Sequence, residues 1–89
     1  MSAYTFRGID LPDELKESLD AYCVSGRPLG DFLRSCVENN LQGAINYADE
    51  RSLIALPAVV GYLYNNLPSR AWGSSGRYNR WLAEKFAAG

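Results

Sequence analysis

Seven arginines and two lysines are the residues of this chain best suited to meet a ligand. A guanidinium group grips phosphate in a two-pronged fork, and most other reactive side chains are missing. The sequence contains no histidine, so Ser-His-Asp and Cys-His nucleophile systems and histidine-based metal sites are absent. Its two cysteines, Cys23 and Cys36, lack CxxC spacing, which excludes a zinc knuckle or a thioredoxin-like motif. Both are expected as buried thiols in a reducing cytoplasm. The carboxylate neighbours Asp13/Glu14 and Asp49/Glu50 would point apart on a helix and act better as caps than as an acid–base pair. Hydrolysis therefore has neither an evident base nor a nucleophile, and no metal site or cofactor is expected.

The basic residues are unevenly placed. Residues 10–50 carry nine acids against three bases, a net of −6, whereas residues 51–89 carry five bases against one acid, a net of +4. Most arginines fit helix surfaces, where they solubilise and form weak ion pairs. Arg27 and Arg70 differ. Arg27 opens the stiff run Arg27-Pro28-Leu29-Gly30 just ahead of a helix start, where free backbone N–H groups already favour an anion. Arg70 sits in the Pro68–Gly73 loop, off any helix face. The aromatics divide in the same way. Tyr22, Phe32, Tyr78, Trp81 and Phe86 lie on apolar stripes and are expected in the core, and Trp72 before Gly73 is expected to anchor a loop. Tyr4 and Phe6 lie in an N-terminal arm, where an aromatic either packs on a neighbouring subunit or stacks on a base.

The elements that must position these residues are helical. Eighty-nine residues, 47% apolar and 21% charged, make one small domain with no disordered signature. The opening run MSAYTFRGID lacks the apolar stretch of a secretory leader, and nothing approaches the ~20 apolar residues that span a bilayer. A cytoplasmic protein is expected. Residues 1–9 read as an extended N-terminal arm and 10–89 as a single helical domain. Pro12, with Asp13 and Glu14 behind it, starts a first helix, because the missing proline N–H costs nothing there and acids favour the positive helix end. Leu15, Leu19, Tyr22 and Cys23 form its buried stripe, and Gly26 stops it.

From Asp31 the helical period resumes through Phe32, Leu33, Cys36, Val37, Leu41, Ala44, Ile45 and Ala48, then Leu53, Leu56, Val60, Leu63 and Tyr64. Asp49 either caps a new helix or sits inside a continuing one, and Pro57 predicts a kink or break between 48 and 57. Pro68 ends the segment. Ser74 or Ser75 caps a last helix starting near Gly76, with Tyr78, Trp81, Leu82 and Phe86 on its apolar side. The expectation is an all-α fold of three helical segments with a long kinked central helix. Such a helix cannot bury both its sides in a chain this short, so a symmetric homo-oligomer is expected to supply the missing core.

The runs Gly26-Arg27-Pro28-Leu29-Gly30-Asp31-Phe32-Leu33, Glu38-Asn39-Asn40-Leu41, Ala48-Asp49, Tyr62-Leu63-Tyr64-Asn65 and Pro68 to Trp72-Gly73-Ser74 resemble the small bacteriophage anti-CBASS proteins that act as cyclic-oligonucleotide sponges. The likeness spans residues 10–82. It implies helical protomers with a kinked central helix, interlocked in a symmetric homo-oligomer, with a hexamer as the size it suggests. It further implies cyclic dinucleotides bound between protomers, with Arg27 on the phosphates. Leu29 falls where the family lines a separate cyclic-trinucleotide pocket with a hydroxyl side chain, a departure from the pattern. Arg70 is the nearest match to a second basic residue around the trinucleotide phosphates. The family's base-stacking aromatic precedes the first helix; here Leu11 and Pro12 stand near that place, so Phe6 or Tyr4 would substitute.

On this reading the chain is a phage immune-evasion protein of the infected host's cytoplasm that sequesters a second messenger and leaves it intact. A helical module binding a host protein is the alternative. Nucleic-acid binding through Arg70, Arg77, Arg80 and Lys85 would make affinity fall steeply with salt, but the acidic 10–50 stretch argues against DNA. An enzyme would need a base or nucleophile that the sequence does not offer.

Overall fold

The structure, a computed structural model, describes residues 4–88. Residues 1–3 of the expected N-terminal arm and residue 89 of the expected helical domain lie outside the described residues. Two short strands, β1 (Thr5–Phe6) and β2 (Ile9–Asp10), precede five α-helices: α1 (Asp13–Ser25), α2 (Asp31–Val37), α3 (Leu41–Tyr47), α4 (Glu50–Asn66) and α5 (Ser75–Ala88). A single 3-10 turn, Ser69–Ala71, joins the last two helices. The protein is mostly helical.

The arm is a hairpin rather than a plain extended segment. Thr5 pairs antiparallel with Asp10 and Phe6 with Ile9, around Arg7 and Gly8, both at positive φ (50° and 81°). Two left-handed residues in succession match the twist of a tight hairpin, and the pair packs on α4, which provides the apolar support that two-residue strands lack alone. Pairing between Thr5 and Asp10 joins the arm to the start of the helical region, across the expected boundary at 9/10.

The central segment departs from one long bent helix: α2, α3 and α4 are separate. Asn39, at φ 60°, turns the chain after α2, a conformation asparagine tolerates better than most residues. Asn40 then caps α3 by accepting the Gly43 N–H at 3.0 Å. The second break comes at Ala48–Asp49, where the Asp49 carboxylate accepts the Ser52 N–H at 2.7 Å and starts α4. Pro57, by contrast, lies inside α4 without ending it. The interruptions sit where side chains satisfy the new helix starts, and α4 runs through its proline because Ala55, Ala58, Val59, Tyr62 and Leu63 bury its inner face.

Leu11, just ahead of α1, and Leu19, Tyr22, Val37, Val59 and Leu63 of α1, α2 and α4 are fully buried, with Tyr78 and Trp81 of α5 closing the core. Each such burial contributes about 1.5–3 kcal/mol. Cys36 is buried and Cys23 half-buried, both as free thiols. Several residues of the expected stripes face outward instead: Leu41, Ile45, Leu53, Val60, Tyr64 and, at 89% exposure, Phe86. Helical spacing marks one side of a helix as apolar, but whether another element covers that side is decided by packing. Among the described residues no helix is long and apolar enough to cross a membrane.

Candidate ligand-binding site

The loop between α1 and α2 is built by Gly26. It ends α1 in the left-handed conformation (φ 69°, ψ 30°), with its N–H on the Tyr22 carbonyl at 3.0 Å and the Arg27 N–H reaching the Ala21 carbonyl at 3.4 Å. A Cβ at this position would overlap the Cβ of Lys85, so the missing side chain lets the loop lie directly against α5. Arg27 follows at once and is exposed. Further along the loop, the Leu29 N–H donates to the Tyr78 hydroxyl at 3.1 Å.

Beneath the loop lies an aromatic trio. Tyr22 and Tyr78 stack with ring centres 5.4 Å apart, and Trp81 tilts against Tyr22 at 6.5 Å. The trio is fixed by polar contacts: the Trp81 indole N–H donates to the Tyr22 carbonyl at 3.0 Å, and the Tyr22 hydroxyl to the Ala71 carbonyl at 2.6 Å. Burial, with Tyr78 beside it, pushes the Tyr22 phenol well above the ordinary tyrosine range. This phenol is a structural donor and stays protonated.

Cations collect on the trio. The Arg70 guanidinium carbon lies 5.4 Å and the Lys85 Nζ 4.7 Å from the centre of the Trp81 ring, and the Arg34 guanidinium lies 5.2 Å from that of Tyr78, all within cation–π range. Arg34 also pairs with Glu38 at 3.0 Å, and that bond raises its already high pKa. Arg27, Arg70 and Lys85 have no ion-pair partner among the described residues. One loop and one helix thus place two cations without an ion-pair partner, Arg70 and Lys85, over the Trp81 ring, and the exposed Arg27 follows the Gly26 that lies against Lys85, an arrangement able to hold an anion.

The residues singled out from sequence therefore fall in three places. Arg70 lies over Trp81 and the Leu29 N–H bonds Tyr78, the Leu29 side chain half-buried against the core, while Arg27 is exposed on the same loop beside the Gly26 that lies against Lys85. Tyr4 and Phe6 lie instead on α4. A Cβ on Gly61 would come within 2.6 Å of the Phe6 ring and 3.0 Å of the Tyr4 hydroxyl, so this glycine admits both rings. Tyr4 meets Tyr62 edge-on at 5.0 Å, and its hydroxyl accepts from the Asn65 amide at 3.2 Å. Tyr62 donates to Asp20, which also pairs with Lys16 at 2.8 Å. Pro12, third, caps α1 and borders a cleft of about 550 Å³ with Asp10, Asp13, Arg51 and Ile54.

Lys85 and Trp81 are the members of the cationic cluster that the loop-centred reading did not single out. Their signal was local: a tryptophan and a lysine at i, i+4 share one helix face. Among the described residues no three His, Cys, Asp or Glu side chains gather as a metal-holding group. Burial pushes the Cys36 thiol up to about 12, far from the range of a reactive thiolate. No protein-family model, curated protein or solved structure matches the chain.

Proposed function

We propose that this chain binds and sequesters cyclic di- and trinucleotide second messengers without cleaving them, and so keeps a bacterial CBASS-type defence effector inactive in the cytoplasm of a phage-infected host. The observation that supports this best is the pair Arg70 and Lys85 over the Trp81 ring, neither with an ion-pair partner among the described residues, with the exposed and likewise unpaired Arg27 next to the Gly26 that lies against Lys85. A cyclic dinucleotide presents two phosphates and two flat bases in near two-fold symmetry. Arginine forks and a lysine point charge suit the phosphates. Since Tyr4 and Phe6 belong to the α4 neighbourhood, the reading unites cations and aromatics across copies of the chain in a symmetric homo-oligomer, a hexamer by resemblance.

Holding rather than cleaving is the chemistry these side chains favour: there is no histidine, and the Tyr22 and Cys36 protons are held tightly by burial. Sequestration lowers the free signal by mass action and needs only tight binding at high protein concentration. The test is a titration of the wild-type protein, Arg27→Ala and Arg70→Ala with cyclic di- and trinucleotides. Arg27→Ala is expected to weaken the dinucleotide at least tenfold with assembly mass unchanged, and Arg70→Ala to weaken the larger ligand more. Unaltered affinity in Arg27→Ala would remove that residue from the site. A second reading, a helical module for a host protein, draws on the exposed apolar side of α3 and α4.

A further inference from the structure

Arg70 is exposed and belongs to a 3-10 turn of only three residues, an element too short to hold its own shape. Its guanidinium nonetheless lies over Trp81, so other groups must fix the backbone that carries it. The core side supplies two of them. The Tyr22 hydroxyl donates to the Ala71 carbonyl, and the Gly73 N–H to the carbonyl of the buried Val37, each at 2.6 Å. The exposed side is held by Arg77. Its Nη1 donates to the Ser69 carbonyl at 3.1 Å and to the Trp72 carbonyl at 3.3 Å, one residue before Arg70 and two after it. Bonds from an ionised donor are the strong kind, and arginine brings two N–H groups on one planar nitrogen at the end of a long side chain. The brace is itself fixed at its root, because the Arg77 N–H donates to Ser74 Oγ at 3.1 Å, the cap that starts α5. Gly73 leaves room for it: a Cβ there would crowd Arg77 Nη1 at 3.1 Å.

From this we infer that Arg77 is a positioning residue for Arg70, closing the turn so that the Arg70 guanidinium stays over Trp81. Arg77, Trp81 and Lys85 follow one another at steps of four, so they form one row on a single helix face. That row supplies the brace, the ring and the second cation in order. Arg77 forms no ion pair among the described residues, so no carboxylate there competes with the two carbonyls. A turn ordered beforehand lowers the cost of immobilising Arg70 when an anion arrives, and Arg77 thereby serves affinity without touching the ligand. This consequence for affinity rests on the nucleotide reading; the positioning itself does not.

The experiment reads the two parts separately. Trp72→Phe leaves Trp81 as the one tryptophan, and it breaks no hydrogen bond of the indole N–H, which has no partner among the described residues. In that background, without ligand, Arg70→Ala and Arg77→Gln are each expected to shift Trp81 emission in the same direction, since both remove a cation from the ring face. The double variant is expected to shift it no further than Arg70→Ala alone. Arg80→Gln deletes a charge from an exposed arginine of the same helix and leaves the brace intact, so emission should stay as it was; circular dichroism checks the fold of every variant. Titration with cyclic tri-adenosine monophosphate follows. Arg77→Gln is expected to weaken binding roughly fivefold when Arg70 is present and less than about twofold in the Arg70→Ala background. Wild-type emission in Arg77→Gln would overturn the inference. So would equal losses of affinity with and without Arg70, which would make Arg77 a direct contact. If emission shifts as expected while Arg70→Ala leaves nucleotide binding unchanged or the nucleotide does not bind at all, the nucleotide reading fails and the positioning stands.

Discussion

Gly26→Ala is the substitution through which fold and site can be tested together. The position sits at φ 69°, where an L-residue costs about 1–2 kcal/mol. In addition, the new methyl would overlap the Lys85 Cβ, a part of α5 that no rotamer can move aside. Overpacking of that kind costs about 1–3 kcal/mol, so the variant should lose about 2–5 kcal/mol, a large share of the roughly 5–15 kcal/mol that holds a small domain folded. Gly8→Ala provides the control: φ there is 81° with nothing within 4 Å of the added carbon, so only the backbone part, about 1–2 kcal/mol, applies. Urea unfolding followed by circular dichroism gives both values. Gly26→Ala should be the worse of the two, and Lys85→Gly should relieve part of its excess. Equal losses in the two alanine variants would refute the close approach of the α1–α2 loop to α5.

Two further outcomes are expected. Burial raises the Cys36 thiol to about 12 from an ordinary 9.0 and lifts the Tyr22 phenol above its ordinary 10.0. The folded chain therefore keeps both protons after the unfolded chain has released them, so stability is full below pH 9 and falls as pH rises further. Urea midpoints at pH 8, 9.5 and 10.5 should decline in that order, and Tyr22→Phe, which also loses about 1–3 kcal/mol by stranding the Ala71 carbonyl, should decline less above pH 10; level midpoints would contradict this. Leu63→Ala, at a fully buried position, should cost about 2–5 kcal/mol, while Phe86→Ala, 89% exposed, should stay within about 0.5 kcal/mol in thermal unfolding.

The ends of α1 could be read from residue chemistry: Pro12 with two acids behind it, then a glycine at the left-handed stop. The start of α5 could be read from Ser74, whose Oγ accepts the Arg77 N–H at 3.1 Å. The split of the central segment could not be read from apolar spacing, since Val37, Leu41, Ala44 and Ala48 keep a helical period straight through the turn at Asn39. The useful signal was the Asn39-Asn40 pair, one residue suited to a left-handed turn and one to a helix cap. Phe86 and Val60 show the other limit: periodicity ranks the sides of a helix and leaves open which side another element covers. At the site, Arg27 and Arg70 stood out because each lies off a helix face. That Arg70 meets Lys85 at Trp81, and that the Gly26 loop carrying Arg27 lies against Lys85, joins positions far apart in the chain and is created by the packing of α5.

The central claim is tested most directly by isothermal titration of the purified protein with a panel of cyclic di- and trinucleotides, followed by heat denaturation and chromatography of the released ligand. Tight binding with the ligand recovered intact is the predicted result. Altered ligand would make the protein an enzyme, and absence of heat with every member of the panel would contradict the account and shift function to the apolar face of α4.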